Sequence, residues 1–245
     1  MSLEITLAEQ DKGHLEKFNQ CLESNVPIRE KIVKLDGKEY KAYRLVINRT
    51  KMCYDLINLG CTPQKTYTLT FPTENQVPKV YLRDFLRGFF DGDGCISTSL
   101  MNGKPHIITK ITGMHDMLIS ISEYLSSEKV VCTKPSLHQD KRRKLVYDLG
   151  IYGTDTNYDF LTYLYDNTSM YLDRKYNAYR QFYQGYDYKV NKRGVYFDKY
   201  HKVYIATITI NSKRITLGRF KNIEEAIQAR KEAEIKKSNN CPLIQ

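Results

Sequence analysis

The sequence predicts an α+β protein built from two related repeats and a smaller C-terminal segment. A strand–helix–hairpin–helix order spans residues 3–60 and returns in residues 106–165. An amphipathic helix precedes the second copy, and the composition changes after residue 193, where three short strands lead into a helix. A repeat of this length constrains a fold more than any single motif does.

The elements of the first copy are predicted from three signals: apolar and polar residues that alternate in strands, apolar residues at helical spacing, and residues that favour turns. Asp36-Gly37 is a favoured hairpin turn pair, and Gly60 is a favoured helix stop. Residues 61–77, with prolines at 63 and 72, are predicted to be a loop. The predicted elements are a strand at 3–8, a helix around 15–22, strands at 28–34 and 40–47, and a helix at 52–59.

The second copy begins with a helix whose apolar residues are spaced i, i+3, i+4, i+7 and i+8, at Leu82, Phe85, Leu86, Phe89 and Phe90. Gly88 lies inside this helix, where glycine costs about 1 kcal/mol relative to alanine. Such a glycine is typical of a place where another backbone comes close. The further predicted elements are strands at 95–99 and 106–111, a helix at 117–125, strands at 130–133 and 144–151, and helices at 158–165 and 172–182.

Two aspartates, Asp91 and Asp93, are each followed by glycine and are predicted to end this helix. Carboxylates at a helix C-terminus oppose the helix dipole by about 0.3–1 kcal/mol each. A hard divalent cation is the obvious group to offset them. Two other interpretations are a plain Asp-Gly turn and an EF-hand loop, which is disfavoured because position 12 is Asn102 rather than glutamate.

Residues Leu86–Gly94 resemble the signature of the LAGLIDADG homing endonucleases. The resemblance implies αββαββα repeats that form antiparallel, saddle-shaped sheets, with the first repeat N-terminally incomplete. It implies that two signature helices cross at small residues such as Gly88. It also implies that Asp93 and the carbonyl of Gly92 bind a catalytic Mg²⁺, or another divalent cation, and that Lys110 takes part in catalysis. A phosphate contact or a solvated lysine is the alternative interpretation of Lys110.

The function implied by this resemblance is metal-dependent hydrolysis of phosphodiester bonds at a long site in double-stranded DNA, as in endonucleases of mobile introns. Single-chain members of the family carry two acidic motifs, whereas this chain shows one, so activity is expected to be impaired. The chain could begin upstream of Met1, derive from a decayed gene, or pair with a second copy through the 82–94 helix. A non-catalytic DNA-binding protein and a maturase acting on intron RNA remain alternatives.

The C-terminal segment resembles the APETALA/ethylene-response-factor type of DNA-binding domain at 194–197, 204–206, 213–218 and 225–226. Its predicted strands are 194–198, 203–210 and 213–220, followed by a helix that starts near Ile223. Because only Arg214 is well placed for a bidentate contact with guanine, weak base specificity is expected. A merely solvated sheet face is the alternative. The DNA-binding positions that we assign here are Arg193, Tyr196, Lys199, Lys202, Thr207, Thr209, Lys213, Arg214 and Thr216.

A basic hairpin tip is predicted at residues 141–144. Cations at such a tip contact backbone phosphates and give affinity rather than sequence readout. A soluble turn is the alternative interpretation. The four residues are Lys141, Arg142, Arg143 and Lys144.

The net charge and its distribution along the chain favour a polyanionic partner. The 245 residues carry a formal net charge of +10, and residues 187–245 contribute 13 basic against 6 acidic side chains. None of the six cysteines forms a C-x-x-C pair, which disfavours zinc ribbons. We see neither a signal peptide nor an apolar run long enough to span a membrane, so a cytoplasmic protein without a membrane partner is expected.

These observations predict the following domain organisation. An endonuclease-like domain covers residues 1–182, with one repeat at 1–77 and the next at 78–182. A polar, tyrosine-rich linker at 183–193 leads to the DNA-binding segment at 194–238, and 239–245 form a tail.

Overall fold

A computed structural model describes residues 1–63, 68–101, 104–140, 143, 145–184, 194–210 and 213–238. The chain divides into two compact units, Met1–Tyr183 and Gln184–Gln245. Both contain antiparallel sheets and helices, which confirms the predicted α+β class. The predicted linker from residue 185 onward, and the predicted tail, lie outside the described residues.

The first repeat packs two helices on one face of an antiparallel sheet with the strand order β1-β3-β2. Asp36 and Gly37 have positive φ angles of 49° and 75°, as a tight hairpin turn requires. Leu15 and Leu45 are fully buried between helix and sheet. The elements are β1 (Leu3–Ala8), α1 (Lys12–Cys21), β2 (Arg29–Leu35), β3 (Lys38–Ile47) and α2 (Thr50–Asn58).

The second repeat has more α-helices than the first among the described residues, and its four-stranded sheet has the order β4-β5-β7-β6. Its core is formed by fully buried side chains such as Ile107, Leu118 and Leu149. The elements are α3 (Leu82–Asp93), β4 (Gly94–Met101), β5 (Lys104–Met114), α4 (His115–Ser127), β6 (Ser136–Gln139), β7 (Val146–Ile151), α5 (Thr154–Tyr165) and a further helix, α6 (Asp173–Phe182).

The two repeats share one strand register. β1 pairs with β3 from Leu3–Ile47 to Ala8–Ala42, and β5 pairs with β7 from Thr109–Ile151 to Met114–Val146. In each repeat the next helix begins three residues after this ladder, at Thr50 and at Thr154. Within the part of the chain that the structure describes, the first repeat has no counterpart of α3 or β4. It therefore matches the predicted incomplete repeat.

The predicted strand at 130–133 is wrong, because these residues end the preceding helix. Lys129 has a φ of 55°, and its N–H donates to the carbonyl of Ser126 at 3.2 Å. The N–H of Val130 reaches back to the carbonyl of Leu125 at 2.9 Å. This is the bond pattern of a Schellman cap, and the strand starts only at Ser136.

The C-terminal unit is a sheet of order β10-β9-β8 with one helix on it. Its small core contains Val195, Ala206, Ala226 and Ile227. Gly194 has a φ of 83°, and a Cβ there would lie 2.2 Å from the carbonyl oxygen of Thr207, so only glycine fits. The elements are β8 (Val195–Asp198), β9 (Val203–Ile210), β10 (Lys213–Phe220) and α7 (Ile223–Ser238).

Among the described residues, none of the helices combines the length and the apolar character needed to cross a membrane.

Candidate functional site

The signature residues form the end of a helix that runs directly into a strand. α3 continues through Asp93, and β4 begins at Gly94, so the Asp-Gly pairs do not form a separate loop. A Cβ at Gly94 would lie 2.3 Å from the ring of Phe90 and 2.4 Å from its carbonyl oxygen. Glycine is therefore required where the helix changes into the strand.

The two aspartates have different environments. Asp91 is 7% exposed and accepts hydrogen bonds from the Tyr165 hydroxyl at 2.6 Å and from the Leu172 N–H at 3.0 Å. Asp91 is thus a structural acid, held by Tyr165 and by the backbone at Leu172. Asp93, two residues further along, is exposed.

A buried lysine caps the C-terminus of α3. Lys175 of α6 is 2% exposed, and its Nζ donates to the carbonyl oxygens of Phe90 at 2.5 Å and of Asp91 at 2.8 Å. A cation at this position interacts favourably with the helix dipole. Part of the charge that the sequence suggested for a bound metal is therefore supplied by the protein itself.

The electrostatics around Lys175 reflect its burial. The pKa of Lys175 is lowered from 10.5 to about 8, mainly by burial and also by the neighbouring Arg174, whereas Asp91 opposes the change. Burial, together with the neighbouring Asp91, raises the pKa of Tyr165, which keeps its hydroxyl a hydrogen-bond donor. Sequence reasoning missed Lys175. The available signal was a lysine in the apolar stripe of α6, between Leu172 and Tyr179.

The chain around the start of α6 also ties the first repeat to the end of α3. Arg174 Nε donates to both carboxylate oxygens of Asp11 at 3.2 Å. His14 Nδ1 lies 3.1 Å from the carbonyl oxygen of Tyr171, and burial lowers the pKa of His14. These contacts bring α1 of the first repeat next to the site.

Lys110 lies on the strand beside the one that Asp93 precedes. It is the register partner of Cys95, two residues after Asp93. Lys110 is exposed, and its neighbours in sequence, Thr109 and Ile111, are buried on the other side of the sheet. The structure therefore places Lys110 on the outer face, next to the strand that begins at the acidic motif.

The charged side chains on the outer face of the first sheet are basic, apart from Glu4. Arg29 is the direct register partner of Arg44, and both lie on the face opposite the buried Leu45. Glu4 accepts from Lys31 Nζ at 2.6 Å, and this hydrogen bond lowers its pKa. In the shared register, Glu4 occupies the position of Lys110.

The predicted basic hairpin tip is described only in part. Arg143 is half-exposed and donates to the carboxylate of Asp140 at 2.9 Å through Nε. Lys141, Arg142 and Lys144 lie outside the described residues.

In the C-terminal unit, five predicted DNA contacts share the sheet face opposite α7, namely Tyr196, Thr207, Thr209, Arg214 and Thr216. The Arg214 guanidinium lies 5.3 Å from the centre of the Tyr196 ring, and its Nε donates to the Thr207 hydroxyl at 3.3 Å. Thr207 is only 3% exposed, so it supports Arg214 from below.

The other predicted contacts of this unit differ in position. Lys199 and Lys202 are exposed in the turn between β8 and β9. Lys213 begins β10, but its side chain and all of Arg193 lie outside the description.

The donor set at the end of α3 suits Mg²⁺. Among the described residues, no group of three or more His, Cys, Asp or Glu side chains could hold a metal. However, Mg²⁺ is commonly bound by one or two carboxylates together with water and substrate phosphates. The exposed Asp93 carboxylate and the carbonyl of Gly92 are oxygen donors of this kind.

A groove runs along the face of α3 that carries Phe85, Gly88 and Phe89, away from the face that packs on α5. Gly88 is exposed, and a Cβ there would meet no described atom within 4 Å. Phe85 and Phe89 are partly buried, whereas Phe90 is fully buried, so the apolar stripe of α3 does not face a single surface. A cavity of about 760 Å³ lies along Phe85, Gly88 and Phe89, and it reaches Asp93. The predicted helix crossing at Gly88 is not formed within the described residues.

Comparison with solved structures finds similarity to several LAGLIDADG proteins. I-GzeII in complex with its DNA target aligns with a TM-score of 0.45 and 10% identity, covering 74% of this chain and 78% of that chain. The meganuclease I-AabMI bound to uncleaved DNA gives 0.46 and 13%, covering 74% and 79%. Mesophilic variants of I-DmoI give 0.38 and 21%, covering 66% and 79%.

No protein-family model and no curated protein matches the sequence. With TM-scores below 0.5, the structural similarities do not by themselves establish a family for this chain.

Proposed function

We propose that the chain is a DNA-binding protein of the homing-endonuclease kind and that it supplies one acidic half of a metal-dependent, phosphodiester-hydrolysing site. The observation that carries the proposal is the end of α3. There the signature residues continue as a helix into β4, bury Asp91 in a hydrogen-bond network and leave Asp93 exposed.

Each residue of the site has a distinct role in this proposal. Asp93 and the carbonyl of Gly92 would hold the divalent cation, which supplies Lewis-acid stabilisation of charge on the phosphate when it is bound. Lys110, on the outer face beside β4, would contact the phosphate or order water. Asp91, Tyr165 and Lys175 fix the end of α3 so that Asp93 is presented in one position.

DNA would contact the outer faces of the two sheets in the first unit. Arg29, Lys31 and Arg44 lie on the outer face of the first sheet, and Lys110 lies on that of the second. Such cations bind phosphates, so affinity should fall steeply as salt rises. Double-stranded DNA is the proposed partner, and a maturase role with intron RNA is a further candidate from the sequence resemblance alone.

The C-terminal unit is proposed as a second DNA contact, of the APETALA/ethylene-response-factor type suggested by its sequence. Support comes from Tyr196 and Arg214, which are exposed on the sheet face away from α7. The guanidinium of Arg214 is held by Tyr196 and Thr207 and can approach a guanine or a phosphate. Lys199 and Lys202 would contact the backbone.

The proposal is tested by nicking of supercoiled plasmid DNA in Mg²⁺ or Mn²⁺, with the full chain and an Asp93→Asn variant. We expect metal-dependent nicking that falls at least about 100-fold in the variant, because a metal-binding carboxylate is removed. DNA binding in a gel-shift assay should stay within about twofold. Lys34→Gln, at an exposed hairpin position, is the control.

A non-catalytic DNA-binding protein is the second candidate. It is favoured by the single acidic motif, where the resemblance to single-chain homing endonucleases implies two. Salt-sensitive DNA binding, with no nicking at any metal concentration in either wild type or Asp93→Asn, would select it. Stronger binding to structured RNA than to duplex DNA would instead favour the maturase candidate.

A further inference from the structure

A polar cavity lies at one end of the first sheet, beside the loop that leads into β2. Its volume is about 690 Å³. It is lined mainly by residues 22–27 of that loop, by the end of β3 and by the start of α2. Ligand pockets in proteins have volumes of about 300–1,000 Å³, so this cavity has room for a small molecule.

Three arginines line this cavity, and their guanidinium groups are available to a ligand. Arg29 and Arg49 are exposed, and their side chains form no hydrogen bond or ion pair with the described residues. The Nη1 of Arg44 lies 3.9 Å from Glu4, whereas its buried Nε has no hydrogen-bond partner among those residues. A buried donor of this kind favours an added acceptor. Guanidinium groups bind phosphates through two parallel hydrogen bonds, so a phosphate is the acceptor that suits this lining.

Two carboxylates, Glu4 and Glu23, also line the cavity and oppose an anion. Glu4 accepts from Lys31 Nζ at 2.6 Å, so its charge is already paired. Glu23 is exposed to solvent, which screens its charge. The three guanidinium groups together with Lys31 outnumber the two carboxylates, and the cavity therefore favours a negatively charged ligand.

The rest of the lining suits a planar ring with polar edges. Val26, Ile47 and Met52 are apolar. Asn25 and Asn48 are exposed, and their side-chain amides form no hydrogen bond with the described residues. Asparagine amides pair with N6 and N7 of adenine, and guanidinium planes stack on bases. The same cavity thus offers contacts to a phosphate and to a base.

The second repeat closes the equivalent place with its own aromatic ring. Tyr152 follows β7 directly, and its ring lies so close over Gly150 that a Cβ there would be 2.5 Å from it. The ring also meets His138 edge-to-face, with 6.2 Å between the ring centres. An aromatic pair therefore covers this end of the second sheet.

The shared register identifies the same place in the first repeat. The counterpart of Tyr152 is Asn48, and the counterpart of His138 is Arg29. Both Asn48 and Arg29 line the cavity. The first repeat therefore keeps open, between an amide and a guanidinium, a place that the second repeat fills with a ring.

We propose that this cavity binds one nucleotide, with its phosphate on the arginines and its base against the apolar residues and the two amides. Adenine is the base that the amides suit best. A free nucleotide and an unpaired nucleotide of a DNA strand share this chemistry. The inference goes beyond the proposed function, because nucleotide binding here requires neither Asp93 nor a paired duplex.

The test titrates the full chain with adenosine monophosphate in a calorimeter. We expect saturable binding that is tighter than that of cytidine monophosphate, adenosine or inorganic phosphate, because each of these lacks one set of contacts. Arg49→Gln removes an exposed guanidinium of the cavity and should weaken binding about tenfold. Arg180→Gln removes an exposed arginine of α6 and should leave binding unchanged.

Asn48→Tyr gives a second readout that misfolding cannot mimic. It introduces into the first repeat the aromatic side chain that Tyr152 supplies in the second. The new ring should occupy the cavity, so nucleotide binding should be lost while the melting temperature stays equal or rises.

Two short DNA duplexes identify the source of the nucleotide, one fully paired and one with a single unpaired adenine. A several-fold preference for the unpaired adenine that Asn48→Tyr removes assigns the cavity to a nucleotide of a DNA strand. Equal binding of the duplexes, together with saturable binding of adenosine monophosphate, assigns it to a free nucleotide. Asp93→Asn should leave both measurements unchanged, so the inference can fail or hold independently of DNA cleavage.

Two results would overturn the inference. The first is equal binding of the two duplexes together with adenosine monophosphate that fails to saturate or binds no more tightly than inorganic phosphate. The second is that Arg49→Gln and Asn48→Tyr leave both nucleotide binding and any preference for the unpaired adenine unchanged.

Discussion

The two repeats of the first unit share an antiparallel strand pair, β1 with β3 and β5 with β7. They differ in the elements that precede this pair. In both repeats the strand pair contains six residue pairs in the same register, and a helix then begins after the same interval. Among the described residues, only the second repeat also has α3 and β4, and with them the acidic motif. The shared strands therefore carry the fold, whereas the acidic residues of the candidate site lie at the end of the added helix and Lys110 lies on a shared strand.

α2 and α5, the helices that follow the two strand pairs, show how the presence of α3 changes the hydrophobic core of a repeat. Phe160 is 1% exposed because α3 covers it, and Tyr165 is 2% exposed because both α3 and the tyrosines of α6 cover it. Because α2 begins at Thr50 where α5 begins at Thr154, their counterparts in the first repeat are Leu56 and Cys61, which are smaller and border the groove along α3. A position that is central to the core in one repeat is thus marginal in the other.

The largest expected effect is on the free energy of unfolding when Phe160 or its counterpart Leu56 is truncated to alanine. Phe160→Ala should lower the free energy of unfolding by about 3–5 kcal/mol, because it removes a fully buried ring that packs on Phe90. Leu56→Ala should cost about 1 kcal/mol, since one side of that side chain faces the groove. Urea denaturation followed by circular dichroism measures both. Equal losses at the two positions would contradict the difference drawn between the repeats.

The next effect concerns Lys175, which has no counterpart in the described part of the first repeat. Its pKa is about 8 in the folded chain and 10.5 without burial, so between these values the unfolded state binds more protons. The contribution of Lys175 to stability should therefore become more favourable as pH rises from 8 towards 10, by up to about 1.4 kcal/mol per pH unit.

The measurement compares urea denaturation of wild type and Lys175→Met at several pH values. The difference in stability between the two should grow in favour of wild type with rising pH. Lys34→Met, which removes an exposed lysine, is the matched control and should show no such trend. A wild type whose stability falls relative to Lys175→Met over this range would mean that burial does not set the behaviour of Lys175.

Much of this architecture could be predicted from local signals. Alternation in Leu3, Ile5 and Leu7 predicted β1 with its observed bounds, and Asp36-Gly37 predicted the hairpin turn. The order of elements in the two repeats was predicted from such signals. The first repeat was predicted to be incomplete because it has no match to the signature helix of the second. These features depend on residues that are close in sequence, which is why one sequence sufficed.

The failures have tertiary causes. Val130 and Val131 favour a strand by composition, but a helix cap formed with Leu125 uses the N–H of Val130. Phe90 belongs to the same apolar stripe as Phe85, yet α5 covers only Phe90. Lys175 caps a helix whose carbonyls lie 84 and 85 residues earlier in the chain. Periodicity shows which residues share a face and does not show what will cover it.

The smallest expected effect tests whether the outer faces of the two repeats bind DNA alike. Glu4 and Lys110 occupy equivalent register positions but have opposite charge. Glu4→Lys frees Lys31 and Arg44 from their acid and adds a cation, so DNA affinity should rise several-fold and the salt slope should steepen by about one or two. Lys110→Gln should make the slope shallower by about one. Filter binding to duplex DNA at several salt concentrations measures both slopes. If only Lys110→Gln has an effect, the second repeat alone contacts DNA, and the likeness between the repeats is one of fold without shared binding.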